Sequence, residues 1–221
     1  MDPIPEQLGV FPLPHVLLFP YALLPLHIFE PRYQALLGDS LKGSRRFVMA
    51  VSNADGEGFH PVACLGKVVE HQPLPDGRSD LILKGERVVE IGEIVSQVPY
   101  RTARVRCFPG DAVFAEGPGA RDRVLELKRL LEDACPGCVE GLRAHIADDL
   151  GEEGGLTLLH TVAMHLPVDI SLKLEWLACR NSLCRWEKMR ATLLDLGRNR
   201  ETRKRVILQY ADLEPENPGI N

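Results

Sequence analysis

FPLPHVLLFPYALLPLHIFEPRY, Phe11 to Tyr33, decides how the first half of the chain folds. The run is apolar enough to suggest a membrane span. However, Pro12, Pro14, Pro20, Pro25 and Pro31 interrupt it, and Glu30 and Arg32 close it with charge. A spanning helix needs about 20 mostly apolar residues in a helix-compatible run. Each proline removes a backbone donor and pushes the preceding residue toward extended geometry. Val16 to Leu26 therefore cannot be one helix. The pattern predicts a short buried strand, Val16 to Phe19, then an irregular apolar segment, then a helix from Pro31 to about Leu41. Pro31 falls in the first turn, where a missing N–H breaks no hydrogen bond.

Composition bounds the class around this stretch. The chain has 221 residues, 45% hydrophobic and 26% charged, the proportions of an ordinary globular protein with one large or two small domains. The net charge of -5 argues against a nucleic-acid partner as the main one. MDPIPEQ lacks a basic segment ahead of an apolar core, so it does not read as a signal peptide, and the expected compartment is the cytoplasm. No membrane partner is expected.

The hydrophobic period changes partway along the chain. Residues 1–110 read as a mostly-β part with the single helix near 31–41. Arg46 to Val51 is a short apolar strand. Cys64 to Gln72 and Asp80 to Val95 flank Asp76-Gly77, a strong hairpin signal. Gly85 and Gly92 mark bulges or bends. Tyr100 to Phe108 alternates, with Thr102, Arg104 and Arg106 opposite Ala103, Val105 and Cys107, as in a half-buried strand. A sheet that closes on itself would cover its own edges.

Residues 111–120 form a Gly/Pro/Ala-rich linker, and the period then becomes helical, giving a helical bundle over 121–212. Val124, Leu127, Leu131 and Ala134 share a face. Val139, Leu142, Ile146 and Leu150 repeat the pattern, as do Leu159, Val162, Ala163 and Leu166. The last helix is expected to be the longest, with a continuous seam of Leu172, Trp176, Cys179, Leu183, Trp186, Met189, Leu193 and Leu196. Asp169 or Ser171 is placed to cap its start, and both tryptophans read as core. Residues 213–221 are expected to be a disordered tail.

The opening stretch resembles the start of the Lon protease N-terminal domain. The matching steps are Phe11-Pro12-Leu13-Pro14, Leu18-Phe19-Pro20, Leu24-Pro25-Leu26 and Ile28-Phe29-Glu30-Pro31-Arg32-Tyr33. The likeness continues through Gly66-Lys67-Val68, Asp76-Gly77, Gly85-Glu86-Arg87 and Pro99-Tyr100, and more loosely to Leu196. It implies an α+β fold, a PUA-like β pseudo-barrel followed by a small α-helical bundle. It also implies a substrate-recognition role without enzyme activity. No G-x-x-x-x-G-K-[ST], G-x-S-x-G or S-x-x-K occurs, so the ATPase and peptidase modules of full-length Lon have no counterpart here, as in a free-standing domain.

Other chemistry is weaker. Cys135-Pro136-Gly137-Cys138 reads first as a helix-breaking turn with two incidental cysteines; its spacing is also that of a zinc chelate or a redox pair, and as metal ligands these two are the only candidates. On one continuous helix Cys179 and Cys184 would point about 140° apart, a poor chelate. His160 and His165 do not form H-E-x-x-H. His27 reads as a hydrogen-bonded structural residue. Arg101, Arg104 and Arg106 read as a solvated strand face, and Arg198, Arg200, Arg203, Lys204 and Arg205 as a solvated helix end.

The resulting expectation is a non-enzymatic module without cofactor that recognises unfolded or apolar segments of client proteins, with use as an adaptor to a protease. An RNA-binding pseudo-barrel and a zinc- or redox-linked regulator through Cys135 and Cys138 are the alternatives. Domain junctions favour concave apolar sites. The expected protein-binding residues are therefore Tyr21, Tyr33, Phe108, Val113 and Phe114, around the linker.

Overall fold

β1 (Gln7–Leu13) starts ahead of the proline-rich run and ends inside it, at the turn where His15 takes a positive φ of 59°. β2 (Leu23–Ile28) resumes after Tyr21, whose φ is 63°. The computed structural model describes residues 4–53, 58–109, 113–136 and 152–199. Val16 to Phe19 is not the expected strand. It is an irregular crossing whose Leu17, Leu18 and Phe19 are nonetheless buried.

The backbone of this crossing is satisfied locally by one bulge. Tyr21 N–H donates to Gly85 O and Gly85 N–H donates to Ala22 O, at 2.8 and 2.9 Å. A Cβ on Gly85 would lie 2.0 Å from Phe19 O, so only glycine permits this approach. Burial therefore marked the right residues, but without a ladder they do not make a strand.

The other strands are β3 (Arg46–Val51), β4 (Val62–Pro73), β5 (Ser79–Ser96) and β6 (Thr102–Cys107). The sheet order is β2-β5-β4-β3-β1-β6, and β6 also pairs with β5. The ring β5-β4-β3-β1-β6 thus closes on itself, with β2 added along the first part of β5. β1 and β3 run parallel, and the other pairs are antiparallel. The β4–β5 hairpin turns at Gly77, whose φ is 85°. Register shifts opposite Gly85 and across Ile91/Ile94 bend the long β5 so that it serves three neighbours.

Leu8, Val10, Val48, Ala50, Ala63, Leu65, Val89, Ile91 and Ala103 fill the barrel; the alanines let strands approach in so narrow an interior. Phe11 and Phe47 alternate to the opposite side of their strands from Val10 and Val48. There Phe11 packs on Tyr33 of α1 (Pro31–Lys42), with ring centroids 4.1 Å apart. Pro31 is the first residue of this helix.

The chain divides into two units, Met1–Gly110 and Asp111–Asn221. The second contains α2 (Ala120–Ala134), α3 (Glu152–His165), α4 (Ile170–Leu177) and α5 (Ser182–Arg198). Asp169 caps α4, accepting from Ser171 N–H at 2.8 Å. The expected single last helix is broken. α4 stops at Leu177, and Asn181 starts α5 afresh, accepting from Cys184 N–H at 2.7 Å. The apolar stripe continues across the break, with Trp176, Cys179, Trp186, Met189, Leu193 and Leu196 all buried. Periodicity alone therefore could not reveal the break. The expected helix through Val139 to Leu150, Cys138, the basic residues from Arg200 to Arg205 and the tail 213–221 lie outside the described residues.

Candidate functional site

The β1–β6 ladder ends at Gly9↔Thr102, with Val10 N–H still reaching Arg101 O at 2.8 Å. The β1–β3 ladder runs on to Leu13↔Val51. β1 and the segment before β6 therefore diverge beyond Val10, and a groove of about 520 Å³ lies there. One wall is Val10, Pro12, Leu13 and Pro14. The other is Gln97, Pro99, Tyr100 and Arg101, with Glu30, Arg32 and Tyr33 from the start of α1 and Ser52 and Asn53 after β3. This is within the size range of sites that hold small ligands or a few side chains.

The groove is built by the prolines and aromatics of the opening motif. Pro12 has no N–H, so the β1 edge here offers carbonyls without a regular row of donors. Its carbonyl accepts from the Tyr33 hydroxyl at 3.5 Å. Burial pushes the Tyr33 phenol up, against the opposing pull of Arg32, whose guanidinium lies 4.5 Å from the ring centroid. Glu30 pairs with Arg32 at 2.8 Å. Tyr100 donates to Asp39 Oδ2 at 3.0 Å, which ties the far wall to α1. Burial raises the Tyr100 phenol, and the same hydrogen bond holds the Asp39 carboxyl low. Gly9 makes room: a Cβ there would lie 3.0 Å from the Tyr100 ring and 3.1 Å from Leu36. Arg101 lies over the Phe59 ring at 5.6 Å.

Phe29, between the buried Ile28 and the half-buried Glu30, projects to solvent at 61% exposure. Sequence reasoning missed it because an exposed phenylalanine between Ile28 and Glu30 looks like core. Nothing in the spacing of Pro99-Tyr100 and Arg101 marks them as partners of the opening stretch.

Of the expected binding residues, Tyr33 lines this groove. Tyr21 is half-buried at the strained turn before β2. Phe108 is half-buried and its N–H donates to Val88 O at 2.9 Å. Val113 is exposed. Phe114 is fully buried within the helical unit, 5.5 Å from the Trp186 ring, and its N–H donates to Ser182 Oγ at 3.0 Å. That is the setting of a core side chain.

The remaining candidates resolve into structural pairs. His27 Nδ1 lies 2.6 Å from Asp80 Oδ1 on the surface. Arg104 pairs with Glu93 at 3.4 Å and Arg106 with Glu90, so this basic strand face is largely neutralised. His160 is buried against Arg185 at 2.7 Å, and burial, reinforced by that cation, holds its pKa well below 6.5. Cys135 is buried and disulfide-bonded, so it is not the incidental thiol expected from the sequence. Cys179 and Cys184 do not diverge as one helix would require: the break between α4 and α5 brings their sulfurs to 3.5 Å. Among the described residues no cluster of three or more His, Cys, Asp or Glu is placed to hold a metal ion. Nor is any described helix long and apolar enough to cross a membrane.

A closed mixed barrel followed by a helical unit is the α+β architecture of Lon N-terminal domains. The family model for the ATP-dependent protease La (LON) substrate-binding domain matches residues 7–193, and the chain belongs to that family. The Lon protease of Roseiflexus castenholzii is 27% identical over 205 residues, covering 90% of this chain but 25% of that protein. The Lon protease of Flavobacterium johnsoniae is 27% identical over 111 residues, 48% of this chain and 14% of its own. The chain thus spans about a quarter or less of these relatives. The N-terminal domain of the Mycobacterium avium complex Lon protease superposes with a TM-score of 0.63 at 15% identity, covering 88% of this chain and 100% of that one. A Lon N-terminal domain protein from Xanthomonas campestris gives 0.59 at 20% identity, covering 84% and 97%.

Proposed function

We propose that this chain is a cytoplasmic, non-catalytic module that captures unfolded or apolar segments of client proteins and presents them to a protease. The groove at the β1–β6 divergence, with the exposed Phe29 beside it in sequence, is the site of capture. The observation that carries this reading is that one continuous motif of a substrate-binding family supplies both the β1 wall and the Glu30-Arg32-Tyr33 end of the groove. An extended segment suits a site bounded by a strand edge, with apolar contact to Pro12, Leu13, Tyr33 and Tyr100. RNA is disfavoured because Arg104 and Arg106 already face carboxylates.

The test is fluorescence anisotropy with a reduced, carboxymethylated model client. Gln97 and Asn53 are exposed residues lining the groove, so Gln97→Trp and Asn53→Trp fill it without entering the core. Each is expected to weaken client binding by about tenfold, roughly 1.4 kcal/mol. Affinity should change little between low and high salt, because apolar capture lacks the counterion release of phosphate contacts. Unchanged affinity in both variants would place the site elsewhere, and a steep salt dependence with RNA bound more tightly would reverse the choice of partner.

A further inference from the structure

The corner between α4 and α5 holds two thiols in contact. Cys179 follows the α4 C-cap, and its N–H donates to Trp176 O at 3.2 Å. Cys184 lies in the first turn of α5, where Asn181 accepts from its N–H. Their sulfurs are 3.5 Å apart, and both cysteines are free. Cys179 is buried, at 7% exposure, and Cys184 is half-buried. A disulfide needs the sulfurs at about 2.05 Å, so closure requires about 1.5 Å of movement, within reach of small side-chain rotations. The corner that carries them is already fixed. The Arg185 guanidinium donates to the carbonyls of Trp176, Leu177 and Cys179 at 2.9, 3.2 and 3.2 Å. A fold that holds one thiol against another raises their effective concentration for reaction.

We propose that Cys179 and Cys184 form a modification site, at which a hydroperoxide oxidises the two thiols to an intramolecular disulfide across the α4–α5 corner. Cys184, the more accessible of the two, reacts first. Its thiolate attacks the terminal peroxide oxygen, the O–O bond breaks, and the departing alkoxide takes a proton to leave as alcohol. The sulfenic acid formed on Cys184 is then attacked by the Cys179 sulfur. The S–O bond breaks, and hydroxide leaves with the Cys179 proton as water. Two thiols and one hydroperoxide give one disulfide, one alcohol and one water, and the two electrons that reduce the peroxide come one from each sulfur. Burial and the neighbouring thiol push the Cys179 thiol up to about 11, which disfavours it as the first nucleophile.

The site is distinct from the Cys135 disulfide and from Cys64 and Cys107, which serve as internal controls. The full chain is treated with cumene hydroperoxide, alkylated without reduction, digested and analysed by mass spectrometry. A Cys179–Cys184 crosslinked species, lighter by two hydrogens and reversed by dithiothreitol, is expected at peroxide doses that leave Cys64 and Cys107 alkylatable. In urea, crosslinking is expected to slow by roughly tenfold or more as the preorganised corner is lost. In Cys184→Ser, Cys179 should remain an alkylatable thiol at the same dose. Three outcomes would each overturn the proposal: oxidation of Cys107 before this pair, Cys184 passing to sulfinic acid without crosslinking, or equal crosslinking rates in buffer and urea.

Discussion

The barrel unit and the helical unit satisfy their backbones by different means. In the barrel, closure gives strands β1 and β3 to β6 partners on both sides, so ladders take up most donors and acceptors. Among the described residues its one deeply placed cation, Arg46, forms a bidentate pair with Glu86 at 2.6 and 3.0 Å. The helical unit has short helices and many ends, and helix ends leave carbonyls without intrahelical donors. Arginines collect these carbonyls and those of the connecting loops. Arg185 serves the end of α4, and Arg123 donates to the carbonyls of Val113, Phe114, Glu116 and Pro118 ahead of α2. An arginine in a sheet protein can thus be an ion-pair partner, whereas here two arginines take the place of missing secondary structure.

This difference sets the largest expected effect. Arg185→Met keeps much of the side-chain volume but strips its donors from the Leu177 and Cys179 carbonyls and from the His160 ring in a buried corner, while the Trp176 carbonyl keeps the Cys179 N–H. Each buried unsatisfied group costs about 1–3 kcal/mol, so a loss of roughly 3–5 kcal/mol is expected. Arg46→Met should cost less, about 2 kcal/mol, because the Glu86 side chain is 24% exposed and can turn to water. Chemical denaturation of both variants checks the order. A larger loss from Arg46→Met would break the comparison.

Phe114→Ala is expected to destabilise the chain by about 3–5 kcal/mol, since it empties a fully buried site beside Trp186. Client affinity of the folded fraction should stay unchanged. A variant that melts normally but binds client weakly would return Phe114 to the binding surface and move the capture site into the helical unit.

His160 makes the helical unit sensitive to acid. Its pKa is held well below 6.5 when folded, by burial and then by Arg185, and returns to about 6.5 when unfolded. Below about pH 6.5 the unfolded chain therefore binds a proton that the folded chain refuses. Stability is full above that pH and falls as pH drops, by up to about 1.4 kcal/mol per unit for this one group. His160→Gln keeps an acceptor for Arg185 without the titration. The difference in stability between the two proteins should therefore slope between pH 6.5 and 5. A flat difference would mean that His160 charges freely in the folded state.

How much of this was legible follows the range of the interactions. The Pro31 helix start and the Asp76-Gly77 turn are local devices, and their residue types announce them. The break before α5 was also written locally, in Asn181 as a cap, but the apolar stripe running through it masked the signal. β1 could not be placed, because Val16 to Phe19 is equally apolar and only Gly85, far along the chain, decides that it crosses rather than pairs. The groove depends on where the β1–β6 ladder stops, a non-local register that no single stretch encodes.

The smallest stability effect carries the sharpest functional test. Phe29 is 61% exposed, its ring 6.1 Å from that of His27, and it precedes the Glu30-Arg32 pair that ends the groove. A surface residue of this kind changes stability by about 0.5 kcal/mol or less when replaced, so Phe29→Ala should melt like the parent. A large aromatic side chain held in water next in sequence to the proposed groove is the kind of residue that anchors a partner, and such anchors are worth about 2 kcal/mol or more. The expected result is an unchanged melting curve with client affinity lower by about thirtyfold, the equivalent of that energy. The pairing with Phe114→Ala makes the outcome decisive: the barrel phenylalanine should move affinity alone, and the helical-unit phenylalanine stability alone. If Phe29→Ala binds client as tightly as the parent, the exposed ring is ordinary surface, and recognition must rest on the groove walls without it.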